Sequence, residues 1–416
     1  MTEASPLADD PSVEEWRAEF PALAQQINGQ PLVYLDTAAT SLRPRAVIDA
    51  IARFYETENA NPSGTLHTLA RRANDRYEGA RATVARFIGA GDPLEIVFTR
   101  GTTEAINLVA FSCGAANVGA GDEILIGAGE HASNMMPWQQ LAARSGATLR
   151  YFQLDDDGRV EVGDFTRLLS ERTRVVAFSH VSNVLGMVNP ARQLADLAHE
   201  VGAVVLVDAA QSVPHLAVNV QELGCDFLAF SSHKMCGPMG VGVLWARRSL
   251  LEAMPPYQFG SNMAHDVRMH DTHFSEGALK FGAGTPNVAG ALGLAAAADF
   301  LSSLGRDNTW RHEQTIATRM LERLQSMHGV RLIGSATTSD RVGVFSFTVK
   351  GRSPAGVAVA LDADGIAVRG GDLASLPLLE RLVAPSAVRA SCYLYTTLDE
   401  VDRFADSLER IVSSRD

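Results

Sequence analysis

The middle of the chain alternates short apolar, β-rich runs with amphipathic segments of helical periodicity, and this alternation constrains the fold more than any other feature. Such runs of hydrophobic sequence begin at Glu95, Asp122, Thr148, Arg174, Ala203, Asp226 and Val241. Strands that alternate with helices form a mostly parallel sheet with helices on both faces. We therefore predict an α/β fold with a large, doubly wound, mostly parallel sheet.

A different pattern follows Leu294. A long helical stretch containing WRHEQTIATRMLERLQSMHG leads into RLIGS, VGVFSFTV and GIAVRGG, which we interpret as strands of a smaller α+β domain. We place a large domain at residues 33–295 and a small domain at residues 296–416. The N-terminal segment, residues 1–32, is expected to pack on the small domain.

Composition and charge exclude several classes of protein. Lys and Arg number 36 against 48 Asp and Glu, so the net charge of −12 disfavours a nucleic-acid or anionic-membrane surface. The four cysteines form no CxxC pair, and we predict neither a disulfide framework nor a metal site. No secretory signal is visible, and the apolar run from Val288 to Ala298 is too short to span a membrane. We expect a cytoplasmic protein.

A Gly-Thr-Thr sequence follows the first predicted strand, at the sheet edge where open α/β folds bind ligands. Gly101, Thr102 and Thr103 open a predicted helix. The free N–H groups and the dipole of a helix N-terminus suit a phosphate. Taken alone, the same residues are equally typical of an ordinary helix N-cap.

Polar residues also end two later predicted strands. Asp208 ends the strand in AVVLVDA, with Gln211 three residues on, and Ser231, His233 and Lys234 follow the apolar run DFLAF. An acid at a strand end is often a turn former, and a lone lysine is usually solvated. Lys234, however, is flanked on both sides by apolar sequence of the kind found in protein interiors, which favours a functional lysine.

Together these groups match the requirements of pyridoxal phosphate (PLP). A lysine amine forms a Schiff base with its aldehyde, a carboxylate keeps the pyridine nitrogen protonated, and a helix N-terminus holds the phosphate. An acid after one core strand, a lysine after the next and an upstream Gly-Thr-Thr supply all three. The sequence therefore predicts PLP as the cofactor.

Nine segments carry a resemblance to a known family: LDTAAT, HTLARRA, FTRGTTEAINLVA, EHASNMMPW, SHVSNVLG, VDAAQSVPH, SSHKMCGPMGVGVL, GAGTPN and VRASCYLYTT. Over residues 13–413 the chain resembles the class V aminotransferase superfamily and, within it, the cysteine desulfurase and selenocysteine lyase group. The resemblance implies the PLP-dependent transferase fold type I and a homodimer with composite active sites.

The resemblance also implies roles for individual residues. Lys234 would be the Schiff-base lysine, Asp208 the partner of the pyridine nitrogen, and His131 a ring-stacking residue that serves in proton transfer. The substrate carboxylate would be bound by Asn183 and Arg389, and Arg369 would be a further substrate-binding residue. The remaining implied cofactor contacts are Gly101, Thr102, Thr103, His131, Asn183, Gln211, Ser231, His233 and, from the other subunit, Thr285.

The chain departs from the pattern of this group at the nucleophile. Desulfurases of the group carry a cysteine on a loop reading Arg-x-Gly-His-His-Cys, and its thiolate attacks the substrate sulfur to form a persulfide. Here Arg369 begins that loop, Asp372 and Leu373 replace the histidines, and Ala374 replaces the cysteine. Ser375 is a poor substitute for a thiolate.

We expect neither Cys236 nor Cys392, which lie near Lys234 and Arg389 in sequence, to replace the missing thiol, because cysteines are mostly buried and inert. The first hypothesis is a PLP enzyme that forms an imine with an L-amino acid, removes its Cα proton and eliminates a sulfur, selenium or other heteroatom group from Cβ without persulfide transfer. A specialised aminotransferase, epimerase, decarboxylase or carbon–carbon bond-forming enzyme is one alternative, and a non-catalytic scaffold is another.

Overall fold

The computed structural model describes residues 12–63, 66–382 and 385–414. Its strands are β1 (Gln26–Ile27), β2 (Gln30–Pro31), β3 (Val33–Tyr34), β4 (Ile96–Thr99), β5 (Glu123–Gly127), β6 (Thr148–Phe152), β7 (Thr173–Ser179), β8 (Val204–Asp208), β9 (Phe227–Ser231), β10 (Gly242–Ala246), β11 (Ala264–Val267), β12 (Thr272–Phe274), β13 (Val330–Leu332), β14 (Val344–Val349), β15 (Ile366–Ala367), β16 (Arg369–Gly371) and β17 (Ala387–Ser391).

The helices are α1 (Val13–Ala18), α2 (Arg45–Arg53), α3 (Thr68–Phe87), α4 (Thr102–Val109), α5 (Ala115–Asn117), α6 (Met136–Ser145), α7 (Val162–Leu168), α8 (Ala191–Glu200), α9 (Ser212–His215), α10 (Val220–Leu223), α11 (Arg248–Ala253), α12 (Val288–Leu304), α13 (Arg306–Ser326), α14 (Pro354–Ala363), α15 (Leu376–Leu382) and α16 (Leu398–Ser413).

The predicted doubly wound sheet is confirmed. Seven strands form it in the order β4-β10-β9-β8-β7-β5-β6. Neighbours are parallel except at β10, which is antiparallel to both β4 and β9. Every residue of β5, β9 and β10 is buried, which explains why these strands read as continuous apolar runs.

Helices cover both faces of this sheet. Along β8, Val205 and Val207 pack in one core with α8 and α12, whereas Leu206 packs in the other with α4 and α6. Side chains alternate between faces along a strand, so each face supports its own hydrophobic layer. The β8 register sets Asp208 beside Ser179 at the end of β7, which brings polar residues of separate strands to one edge.

A second, antiparallel sheet of four strands has the order β13-β14-β17-β16. Its core includes residues from α13 and α16, such as Met320 and Phe404. β3 pairs in parallel with β15, and α12 runs across residue 295. In the N-terminal segment, Arg17 forms an ion pair of 2.9 Å with Glu400. The residue ranges proposed for the domains stay a prediction.

Within the described ranges, no single helix is both long enough and apolar enough to cross a membrane. Helices α12 and α13 meet at an angle of 79°. Taken together, they are long and apolar enough to cross a membrane by length and composition alone.

Candidate active site

A cavity of about 400 Å³ opens at the carboxyl ends of the central strands, where it is also bordered by β16 and β17. Its size suits a small organic cofactor with a substrate. The cavity brings together most of the residues that the sequence singled out: Thr102, Thr103, His131, Asn183, Asp208, Gln211, Ser231, His233, Lys234, Arg369 and Arg389. Gly101 and Thr285 are not among its lining residues.

One end of the cavity is formed by the N-terminus of α4. Gly101 caps this helix with φ 156° and ψ 179°, a conformation open essentially to glycine alone. The Thr102 amide donates to Ser231 Oγ at 2.8 Å, and the Thr103 and Ser133 hydroxyls lie 2.8 Å apart. Hydroxyls gathered at a helix N-terminus form a site that fits a phosphate.

Asp208 and Lys234 line the same cavity. Burial raises the pKa of Asp208, while the nearby Lys234 ammonium lowers it. Burial lowers the pKa of Lys234 to about 8, with Asp208 opposing and Arg389 adding to that shift. A larger fraction of the Lys234 amine is therefore unprotonated near neutral pH than for a solvated lysine.

His131 is held as a neutral imidazole. The Ser133 amide donates to its Nδ1 at 3.1 Å, so the ring proton is on Nε2. Burial and the positive charges of Lys234 and Arg389 lower the pKa of His131 to about 4. His131 therefore offers a hydrogen-bond donor, rather than a cationic acid, at neutral pH.

Two arginines at the other end of the cavity share one carboxylate. Arg369 donates to both oxygens of Asp36, at 3.3 and 3.1 Å, and Arg389 Nη2 lies 3.6 Å from Asp36 Oδ1. Arg389 also donates through Nη1 to the Asn183 carbonyl at 2.9 Å. Two guanidiniums with one shared carboxylate leave positive charge for a substrate anion.

Some buried polar atoms have no hydrogen-bond partner among the described residues, and their positions show whether the cavity fits a polar ligand. They include Gln211 Oε1, His233 Nδ1 and Arg389 Nε, and all three side chains line the cavity. Unpartnered buried polar atoms are costly, so their clustering indicates a site built for a polar ligand. Together with the α4 N-terminus, Asp208 and Lys234, they fit PLP.

The loop after β16 presents the methyl group of an alanine to the cavity. Ala374 lines the cavity, and both Leu373 and Ala374 have left-handed backbones, with φ of 54° and 53°. This conformation costs roughly 1–2 kcal/mol for a non-glycine residue. The loop is held by a hydrogen bond of 2.8 Å from the Ala132 amide to the Ala374 carbonyl.

All four cysteines are buried, and none lines the cavity. Burial raises the pKa of Cys113 to about 11, of Cys225 and Cys236 to about 12, and of Cys392 further still. Thiols of this kind are poor nucleophiles because the reactive form is the thiolate.

Thr285 lies outside the cavity of its own chain. It is exposed, and its hydroxyl lies 3.3 Å from Asn61 Nδ2. Its predicted contact with a phosphate of the other subunit stays a prediction.

Sequence reasoning missed three residues that organise the site. Asp36 pairs with the two arginines, Ser133 bonds to Thr103, and buried Glu130 accepts from the Ser179 amide at 3.0 Å and from Asn134 Nδ2 at 2.7 Å. Burial raises the pKa of Glu130 to about 8. All three lie inside the segments LDTAAT and EHASNMMPW, which the sequence analysis had singled out without assigning these residues a role.

Known proteins that are similar to this chain over nearly its whole length include cysteine desulfurases. The Aminotransferase class-V family profile matches residues 33–404. A probable cysteine desulfurase of Halalkalibacterium halodurans is 48% identical over 399 residues, covering 96% of this chain and 98% of that protein. A cysteine desulfurase of Klebsiella pneumoniae is 46% identical over 401 residues, covering 96% and 98%.

Solved structures agree with this relationship. Apo cysteine desulfurase from Thermococcus onnurineus matches with a TM-score of 0.92 and 37% identity, covering 99% of both chains. A cysteine desulfurase from Escherichia coli matches with a TM-score of 0.88 and 35% identity, covering 96% of this chain and 98% of that one. The fold is thus that of the PLP-dependent fold type I enzymes.

Proposed function

Because the chain belongs to the class V aminotransferase family and is a PLP-dependent, cysteine-desulfurase-like enzyme, we propose that it is a lyase that works without persulfide transfer. It would eliminate a sulfur, selenium or other heteroatom group from Cβ of an L-amino acid. The leaving group would depart to solvent rather than to a protein thiol.

The observation that carries this proposal is the cavity wall at Ala374. A methyl group faces the site there, and each of the four cysteines is buried elsewhere with a raised pKa. Sulfur transfer to the enzyme needs a thiolate within reach of the substrate. Elimination needs a base and a stabilised leaving group, but no protein nucleophile.

Different residues of the cavity would hold different parts of PLP. The α4 N-terminus with Thr102, Thr103 and Ser231 would hold the phosphate, Asp208 the pyridine nitrogen and Lys234 the aldehyde carbon. When bound, PLP withdraws electrons from Cα of the amino acid and so lowers the barrier to removing its proton.

The chain itself binds the substrate and moves the proton. Arg389, with the support of Asp36, would bind the α-carboxylate. Lys234 Nζ would take the Cα proton, because burial lowers its pKa to about 8 and leaves a larger fraction of the amine unprotonated than in a solvated lysine. The Cβ–heteroatom bond then breaks with its electron pair on the heteroatom, which takes the proton from Nζ. His131 Nε2 would donate a hydrogen bond to that heteroatom.

The carbon product is aminoacrylate, which takes up water to give pyruvate and ammonia. No particular observation favours transamination, epimerisation, decarboxylation or carbon–carbon bond formation. A scaffold without catalysis would have no need of a lysine, an acid and an arginine gathered in one cavity.

A homodimer with composite sites is part of the proposal. Thr285 is exposed and lies outside its own cavity, and the hairpin β11–β12 presents Val267 and Met269, 69% and 97% exposed, on the surface. A second copy would cover this surface and bring Thr285 to the phosphate.

The test is a panel of amino acids given to the PLP-loaded protein. The panel contains L-cysteine, β-chloro-L-alanine and O-acetyl-L-serine, each of which carries a Cβ substituent that can leave. At least one of them should give pyruvate and ammonia in equal amounts. L-Alanine should give neither. A persulfide on the wild-type protein would contradict the proposal, and so would products confined to a D-isomer or to a keto acid that retains the Cβ substituent.

A further inference from the structure

Residues 372–375, here called the wall segment, close one side of the candidate active site. Asp372, Leu373 and Ala374 line the cavity, and Ser375 lies behind them with only 1% of its surface exposed. A segment with two consecutive left-handed residues needs tethers to stay in place.

The side chain of Asn183 supplies those tethers. Its Nδ2 donates to the Leu373 carbonyl at 2.9 Å, and its Oδ1 accepts from the Ser375 hydroxyl at 3.2 Å. Both ends of the amide are thus engaged with the wall segment. At the same residue, the Asn183 carbonyl accepts from Arg389 Nη1 at 2.9 Å.

We propose that Ser375 is a positioning residue that, through Asn183, fixes the wall segment and keeps it in register with Arg389, the arginine assigned to the substrate carboxylate. This inference rests on the proposed function for the identity of the ligand at Arg389. The tethering itself rests only on the geometry of Ser375, Asn183 and Leu373. The Asn183 amide thereby links two residues of the wall segment, Leu373 and Ser375.

The test compares Ser375→Ala with Ser346→Ala. Ser346 is fully buried, and its hydroxyl lies 2.6 Å from the Val184 carbonyl, next to Asn183. It has no hydrogen bond to the wall segment in the described structure. Each variant therefore loses one buried hydroxyl hydrogen bond to the same stretch of chain, but only the first frees the wall.

Two measurements separate the variants. The first is hydrogen exchange of the PLP-free protein in peptides covering residues 372–376 and Ala132, whose amide bonds to the wall. The second is the Kd of L-alanine, followed by the absorbance of the PLP-loaded protein. In Ser375→Ala, exchange at these amides and the Kd should both rise about fivefold, the effect of one lost hydrogen bond. Ser346→Ala should leave both within about twofold of wild type.

Equal exchange at the wall in the two variants would overturn the inference. If Ser375→Ala does not fold, Asn183→Asp takes its place. This variant keeps an acceptor for the Ser375 hydroxyl and loses the donor to the Leu373 carbonyl. Unchanged exchange at the wall segment in Asn183→Asp would also overturn the inference. Failure of L-alanine to perturb the wild-type spectrum counts against the proposed function alone, since the exchange measurement on PLP-free protein still decides the tether.

Discussion

Arg389 Nη2 lies 3.6 Å from Asp36 Oδ1, in an ion pair between residues more than 350 positions apart in the chain. The Arg389 side chain is only 4% exposed, so Asp36 is a close counter-charge for a nearly buried cation. The same carboxylate orients Arg369. The substrate-binding end of the cavity therefore depends on an acid that does not itself line it.

Replacing Asp36 by Asn should weaken amino-acid binding. A charge-assisted hydrogen bond contributes roughly 1.5–3 kcal/mol, so we expect the Kd of L-alanine, read from the absorbance of the PLP-loaded protein, to rise at least about tenfold. The affinity for PLP should change less than about threefold, because the phosphate end lies on α4. Asp402→Asn is the matched control, since Asp402 likewise bridges two arginines, Arg319 and Arg323, away from the cavity. Equal effects of the two substitutions would show that Asp36 has no special role.

Ala374→Cys should place a reactive thiol in the cavity. Alanine and cysteine both carry an unbranched β-carbon on Cα. The left-handed backbone at position 374 therefore adds little conformational free energy when alanine is replaced by cysteine. Iodoacetamide should modify one thiol in the native variant and none in the wild type. With L-cysteine the variant should also accumulate a persulfide, detected by mass spectrometry.

Leu376→Cys is the control for that experiment, because Leu376 is 39% exposed and does not line the cavity. Its thiol should be alkylated but should carry no persulfide. A persulfide in both variants would show that its formation does not depend on a thiol in the cavity, and a persulfide in neither would mean that the cavity does not accept cysteine.

The rate at which PLP-free protein takes up PLP covalently should rise with pH around a midpoint near 8. The reacting species is the unprotonated amine of Lys234, whose pKa is lowered to about 8, so the rate is low below this pH and reaches its plateau above it. Asp208 raises the Lys234 pKa, and Asp208→Asn should therefore move the midpoint to lower pH. Stopped-flow absorbance across pH 6 to 10 measures both. A midpoint near the pKa of a solvated lysine would contradict the buried environment assigned to Lys234.

The sheet was predictable from sequence because burial leaves a direct signature. β5, β9 and β10 are buried at every position, and such strands read as uninterrupted apolar runs between helices. The direction of β10 was not predictable, since a fully buried strand has the same composition in either direction. Only the register with β4 and β9 shows that it is antiparallel.

The site was partly predictable for a related reason. Lys234 and Asp208 end strands, and the carboxyl edge of an open sheet is where such groups meet. The pairing of Asp36 with Arg389 depends on tertiary contacts across most of the chain and has no local signal. The left-handed backbones of Leu373 and Ala374 oppose their intrinsic preference, so no propensity rule could find them.

The attachment of PLP to Lys234 is the claim on which the rest depends. Borohydride reduction of the PLP-loaded protein, followed by digestion and peptide mass spectrometry, tests it directly, with Lys280, a lysine outside the cavity, as the internal comparison. We expect a pyridoxyl adduct on the peptide that contains Lys234, and none in a Lys234→Ala variant. An adduct on another lysine, or none on the Lys234 peptide of wild-type protein that has visibly bound PLP, would contradict it.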